Sequence, residues 1–378
     1  MNSKERHEAR YQRRKLKRKT YIQPTYEEVF SYDHLYESYK KCIKNVKWKS
    51  TVQRFMLNAT VELHKLHNEL MKRNVKTGRF YHFDIFERGK HRHIQSVGIR
   101  ERIIQRCNCD FFLVPLLSRK LINDNFACQK GKGYHYAMKH VKKHMIAHYH
   151  KYGKRGYVLQ FDFSKYFDTI DHNKLITMFE NLIEDKDLLD IQKQLINDFD
   201  GDKGLGLGSQ ISQIAALYYP RMLDSAIKHY CKISGYGRYM DDGILIYQNK
   251  EQLDIALKEI LKIAKDLEIK MNSKKTIFTK FGNSVIFLKA KYNITNTGKV
   301  IIRPVRKGVH KNKRKLKKLK NLVDDGKLPF QKALNFYKSI IGRLRWFNAH
   351  KTALSFKQLF YKYFKEDILN YDLQRIPL

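Results

Sequence analysis

Acidic residues are the scarce class in this chain: 37 Asp and Glu stand against 76 Lys and Arg in 378 residues, a net charge of +39. A surplus of that size, spread along the whole chain, points to polyanionic partners and would release counterions from a nucleic-acid backbone. An anionic membrane surface is the rival partner, but no isolated amphipathic anchor stands out. Long apolar runs are missing too. None approaches the roughly 20 residues needed to span a bilayer, and no apolar signal segment opens the sequence, so the expectation is no membrane and a cytoplasmic location. Cysteine is sparse, with Cys42, Cys107, Cys109, Cys128 and Cys231 scattered and never in the paired spacing of a zinc site. An odd, scattered set suggests reduced thiols. The glycine-rich stretch 201–208 is no Walker loop, because no Gly-Lys-Ser/Thr follows it. No internal repeat is evident.

What is present is enough for a core, with 42% hydrophobic residues and a length that suits two or three structural units. Tyr (24) and Phe (22) are interleaved with the basic residues. Aromatic rings can stack on bases, although for any single ring core packing is the plainer reading. Residues 1–19 form a basic arm that would order only on nucleic acid, or stay a solvated tail. A helix is expected over 52–71, a basic β-hairpin over 80–97 and a helix over 99–117. A loop holding Gly131-Lys132-Gly133 leads into a Lys- and His-rich helix over 134–150. Its histidines have no acidic partner at metal spacing and read as surface contacts. A buried strand over 156–163 ends in Asp162, and Asp171 is placed to cap the next helix. The helix opening near Ser209 offers free backbone N–H groups to a phosphate or base. Strands are expected near 285–294 and 300–305, and the basic run 307–320 marks a boundary before a helical remainder.

Gly237-Arg238-Tyr239-Met240-Asp241-Asp242-Gly243-Ile244-Leu245-Ile246-Tyr247 sets two adjacent carboxylates between strand-forming runs, with Asp242-Gly243 as the hairpin-turn signal. Alone, an exposed Asp-Asp-Gly turn is the ordinary reading. The order of elements changes it. A strand ending in Asp162, a glycine loop, then Asp241-Asp242 and a basic turn at Lys274 is the set that phosphoryl transfer to a growing strand needs. Two magnesium ions about 4 Å apart would activate the attacking hydroxyl and stabilise the leaving pyrophosphate, and magnesium prefers carboxylate oxygens.

Phe161-Asp162-Phe163-Ser164-Lys165-Tyr166-Phe167-Asp168 resembles the first catalytic motif of reverse transcriptases, and Tyr239-Met240-Asp241-Asp242 their Tyr-x-Asp-Asp box. The resemblance runs from about residue 90 to 288, with a thumb beyond. Gly89-Lys90-His91-Arg92-His93-Ile94, Ile99-Arg100-Glu101-Arg102-Ile103-Ile104-Gln105 and Asn125 to His135 resemble the finger blocks of bacterial non-LTR-like enzymes. Most relatives read Gln-Gly-x-x-x-Ser-Pro at the loop-helix motif. Leu207-Gly208-Ser209-Gln210-Ile211-Ser212-Gln213 instead is similar to the diversity-generating retroelement pattern, whose enzymes copy a template RNA with errors opposite adenine.

The resemblance implies an α+β right-hand polymerase with fingers, an antiparallel-sheet palm backed by helices, and a helical thumb. Its parts would be a basic extension over 1–48, fingers and palm over 49–305 and a thumb over 306–378. It implies an RNA-directed DNA polymerase with two Mg2+ ions, for which Mn2+ can substitute. Partners would be an RNA template, a DNA or RNA primer, deoxynucleotides and, in the diversity-generating subfamily, a small basic accessory protein, in a bacterial host cell. Asp162 and Asp241 would bridge the metals, with Asp242 in support and the Phe163 carbonyl completing one ion. Phe167 stands at the sugar gate, or is a core ring. Lys90 and Arg92 would clamp the triphosphate, or contact backbone generally. Leu207, Gly208 and Gln213 would line the nucleotide, Met240 would pack under the primer end, and Lys274 or its neighbour Lys275 would meet the pyrophosphate. Arg100, Arg102, Lys132, Ser209, Arg343 and Arg345 would contact nucleic acid. The region after 306 lacks the acid cluster of an RNase H domain, and no His-Asn-His endonuclease pattern occurs. The alternatives are a phage-defence polymerase making DNA with little or no template, and a non-enzymatic RNA-binding protein on the same scaffold.

Overall fold

The computed structural model describes Glu5, Glu8, residues 21–87 and residues 89–369. The rest of the basic arm, Arg88, the side chains of Glu87 and Lys90, and residues 370–378 lie outside the described residues. The chain divides into two compact units of three segments each. Met1–Ile122, Ser164–Met222 and Ile263–Lys270 form the first, and Asn123–Phe163, Leu223–Lys262 and Met271–Leu378 the second.

The first unit is mainly helical. Helices Tyr32–Ile43 and Ile99–Asn108 turn Leu35, Tyr39, Ile103, Ile104 and Cys107 into its core, the apolar stripe an amphipathic helix must bury. The helix expected over 52–71 is two, Ser50–Leu57 and Ala59–Met71, meeting at Asn58. Two buried amides, Asn108 and Gln192, donate to each other's oxygens at 2.8 Å, so neither is left unsatisfied. Strands β1 (Phe80–Glu87) and β2 (Lys90–Val97) pair antiparallel from Phe80↔Val97 to Glu87↔Lys90, the hairpin expected from their alternation.

The second unit holds two sheets. β3 (Tyr157–Asp162), β4 (Gly235–Tyr239), β5 (Asp242–Tyr247) and β6 (Ile277–Lys280) lie antiparallel in the order β4-β5-β3-β6. Val158, Leu159, Ile244, Leu245 and Ile246 are all buried, so the two central strands are covered on both faces. This explains why they read as continuous apolar runs rather than as alternation. The Tyr134–Tyr152 helix adds Ala137, Met138, Val141 and Met145 to the same core. The strand expected over 285–294 is in fact two, β7 (Val285–Phe287) and β8 (Ala290–Ile294), followed by β9 (Val300–Pro304). They reverse at Leu288–Lys289, both with positive φ (49° and 61°). Such turns favour Gly or Asn, and neither is there to announce it. Helices Arg306–Asp324, Phe330–Leu344 and His350–Leu369 complete the unit around Tyr337, Phe356, Phe360 and Phe364.

Candidate active site

The strand register builds the acidic cluster. β3 and β5 pair so that Asp162 stands directly opposite Asp242, while Phe161 stands opposite Gly243. Like charges facing each other across two strands repel. Asp241 belongs to the tight turn between β4 and β5: Tyr239 pairs with Asp242, which leaves Met240 and Asp241 as the loop. The sequence reading put the turn at Asp242-Gly243, and the register corrects it. A Cβ on Gly243 would stand 2.2 Å from the Phe161 ring, so this glycine makes room for a neighbouring side chain within the sheet. The unusual backbone is at Met240, with φ 54°. On the other side, the Phe163 N–H donates to the Asp241 carbonyl at 3.3 Å, and Phe163 bridges to Met271.

Asp162 is 4% exposed and well supplied with partners. Lys275 Nζ lies 2.9 Å from each of its oxygens, Asn272 Nδ2 donates to Oδ2 at 3.1 Å, and the Asn272 N–H donates to its backbone carbonyl at 2.8 Å. The basic turn thus meets the acids through Lys275, while Lys274 beside it is exposed. The Asp242 carboxyl is pushed up to about 7, first by burial, then by the charge of Asp241 and by Asp162. For Lys275, burial acts to lower the pKa, but its bond to Asp162 and the charges of Asp242 and Asp241 outweigh it, and the net shift is upward. Three carboxylates and one ammonium therefore leave a site short of positive charge. Its donors are oxygens, the chemistry that holds magnesium or manganese.

A buried arginine, absent from the residues singled out in the sequence, holds the turn. Arg238 in β4 has no exposed surface. Its Nε and Nη2 donate to the two oxygens of Asp224 at 2.7 Å each, and its Nη1 donates to the Met240 carbonyl at 2.7 Å. The Tyr236 hydroxyl donates to Asp224 at 2.6 Å. A forked pair of this kind fixes geometry as well as charge. The only sequence signal was an Arg flanked by Gly237 and Tyr239 in an otherwise strand-like run.

The remaining candidates separate by unit. In the second unit, Lys132 donates to the carbonyls of Asn123 and Asn125 at 2.9 Å, tying its own loop together. Arg343 lies over the Tyr134 ring and, like Arg345, is exposed. In the first unit, the glycine loop hydrogen-bonds the segment carrying Phe167: the Leu205 N–H donates to the Phe167 carbonyl at 2.9 Å, and Gly204 to Ile170 at 2.8 Å. Gly208 (φ 111°) lies against Ile94 of β2, the strand that carries Arg92. Phe167 is half-buried, and the deeply buried ring there is Tyr166. Ser209 donates to Gln105 at 2.8 Å, while Gln213 is exposed and Leu207 half-buried. Arg100 is ion-paired with Glu69, and Arg102 bonds Ser96 and the Val97 carbonyl. One further expectation is overturned: His140 and His144 are not bare surface histidines, because both contact Asp124.

The profile of the reverse transcriptase (RNA-dependent DNA polymerase) family matches residues 87–318. No curated protein sequence matches significantly. Among solved structures, telomerase from Candida albicans, in complex with the TWJ fragment of telomeric RNA, is 13% identical with a TM-score of 0.46, over 79% of this chain and 64% of that one. Apo telomerase from Candida tropicalis is 12% identical with a TM-score of 0.46, over 77% of this chain and 57% of that one. The chain thus spans less than two thirds of the length of either. The family match takes in more than half of this chain, from the end of β1 to the Arg306–Asp324 helix, and this chain belongs to the reverse transcriptase (RNA-dependent DNA polymerase) family.

Proposed function

We propose that this chain extends a primer 3′-hydroxyl with deoxynucleotides on an RNA template, and that Asp162, Asp241 and Asp242 are its catalytic acids. The observation that carries the reading is the register setting Asp162 opposite Asp242, with Asp241 in the adjoining turn. Two magnesium ions held by these carboxylates and the Phe163 carbonyl would supply hydroxyl activation and charge neutralisation at the α-phosphate and pyrophosphate. The chain's own groups do the rest. The Arg238 fork keeps the Met240–Asp241 turn rigid. Lys275 neutralises Asp162, and its four-carbon stem can swing toward a leaving phosphate and offer a proton. Met240 sits beside Asp241 at the tip of the hairpin, where a primer end would rest.

The finer reading is error-prone copying of a retroelement template in a bacterial cell, aided by a small basic accessory protein. Leu207-Gly208-Ser209-Gln210 supports it, since loss of a glutamine side chain before Gly208 loosens checking of the templating pair. One assay tests both levels: magnesium, a primed RNA template and labelled deoxynucleotides, with the products sequenced. Wild type is expected to incorporate, Asp241→Asn to lose at least about 1000-fold, and errors to gather opposite template adenine. No incorporation by wild type, or equal incorporation by Asp241→Asn, overturns the polymerase reading. Uniform errors overturn the finer one, and efficient synthesis without template favours the defence-type alternative.

A further inference from the structure

Away from the catalytic acids, the second unit gathers a different donor set. Asp124 Oδ1 lies 2.9 Å from His140 Nδ1 and 3.2 Å from His144 Nε2, and the three ligand atoms all fall within 4.8 Å of one another. His140 and His144 are one turn apart on the Tyr134–Tyr152 helix, so they project from one face. All three side chains are only 14–17% exposed. His144 Nε2 is buried, and the partner it faces is Asp124 Oδ1 at 3.2 Å, the oxygen that His140 also meets. Two imidazole nitrogens converging on one carboxylate oxygen in a half-buried pocket make a donor set that a divalent cation can bind.

We infer that Asp124, His140 and His144 form a structural site for a zinc-class divalent cation, separate from the magnesium chemistry of the catalytic acids. Tetrahedral ligands about 2.0–2.1 Å from a zinc ion stand about 3.3 Å apart, and the two measured separations need to open by only a few tenths of an ångström. Two imidazoles and one carboxylate suit zinc and its transition-metal neighbours and disfavour magnesium. Lys228 shapes the site without closing it. Its ammonium donates to the other oxygen, Asp124 Oδ2, at 2.8 Å and to the Ser234 carbonyl at 2.6 Å. Oδ2 is thus fixed from behind, the arrangement by which outer partners orient a ligand, while Oδ1, which carries the 2.9 Å His140 Nδ1 hydrogen bond, faces both imidazoles and would pass to the cation as that ring proton leaves. Ring stacking of Tyr136 on His140 at 4.0 Å sets the second imidazole.

The position gives the ion a purpose. The Arg238 N–H donates to the Asp124 carbonyl at 3.0 Å, and the Phe126 N–H donates to the Arg238 carbonyl at 2.8 Å. A cation here would fasten the 123–126 loop to the helix and brace β4 two residues before the Met240–Asp241 turn.

The test uses the full chain, stripped with a chelator and titrated with zinc chloride in excess magnesium, which occupies the catalytic acids and is refused by imidazoles. Wild type is expected to take up one zinc per chain, to melt at a higher temperature as zinc rises, and to show intense visible absorption with cobalt(II) in its place. His144→Gln is expected to weaken zinc binding by more than about 100-fold, beyond the effect of losing a merely supporting partner. Lys228→Met is expected to weaken zinc binding by about 10- to 100-fold, the smaller loss of a partner that only orients the carboxylate. Absence of zinc uptake and of zinc-dependent melting in wild type overturns the site and leaves an ion-pair cluster, as does unchanged zinc affinity in His144→Gln. Should that variant fail to fold, the wild-type cobalt spectrum decides: weak six-coordinate bands reject the site and strong low-coordinate bands support it.

Discussion

Arg238 and Asp224 are 0% and 1% exposed and bond each other through a fork. Removing one partner of such a pair strands the other charge, at a cost of about 3–5 kcal/mol. Arg238→Met is therefore expected to lower the unfolding free energy, read from denaturant titration, by that amount and to abolish incorporation, because the Met240 carbonyl loses its donor. Arg238→Met combined with Asp224→Leu is expected to recover most of the stability and little of the activity. Asp242 gives a pH test in metal-free buffer. Its pKa is raised on folding to about 7, well above the ordinary carboxylate range, by burial and by the charge of Asp241. The folded state therefore holds the proton more tightly, and stability is full below the unfolded value and is lost as pH rises through about 7. Asp242→Asn should raise the melting temperature of the metal-free protein at pH 8, by roughly 2–4 °C per kcal/mol relieved, and leave it almost unchanged at pH 4. Equal shifts at both pH values would rule out charge burial as the cause. At this scale the acids were legible in the sequence because their spacing and order are informative. Arg238 and Asn272 were not, and Lys275 was named for the pyrophosphate but not as the partner of Asp162, because these contacts join residues between 14 and 113 positions apart.

Among the elements, the catalytic hairpin shows how a local signal can mislead. Asp-Gly is the favoured residue pair for a two-residue turn, yet the chain reverses two residues earlier, at Met240–Asp241, because Gly243 is needed opposite Phe161. Gly243→Ala should cost about 1–3 kcal/mol through overpacking against that ring, read from the unfolding midpoint. Phe161→Leu in the same chain should restore much of the loss. If the cost came from turn geometry, the second substitution would return nothing. Apolar runs and capping residues were readable without partners: Asp171 caps its helix as expected, accepting from the Lys174 N–H at 3.0 Å. The reversal at Leu288–Lys289 left no trace in the sequence, since both residues adopt left-handed backbone without the glycine or asparagine that usually marks it.

For the whole molecule the governing quantity is the charge of +39. Affinity for a primed template should fall linearly in log salt, measured by fluorescence anisotropy, with each neutralised phosphate adding about −0.7 to −0.9 to the slope. The Arg306–Asp324 helix exposes Lys311, Arg314 and Lys318. Changing all three to Ala should make the slope shallower by about 2–3. An unchanged slope would remove this helix from the interface. The division into units carries a different kind of consequence. Each unit is assembled from three separated segments, so the chain passes between them five times, and the first unit is complete only at Lys270. β3 gains β6 as its second neighbour only once residues 277–280 exist. On the ribosome, Asp162 must therefore wait more than a hundred residues for Asn272 and Lys275. Such long-range pairings form slowly, and partly finished chains with open strand edges are prone to aggregate. Truncation at any single point severs one unit or both. Slower elongation or added chaperone should therefore raise the soluble yield of this chain more than trimming it to a smaller fragment.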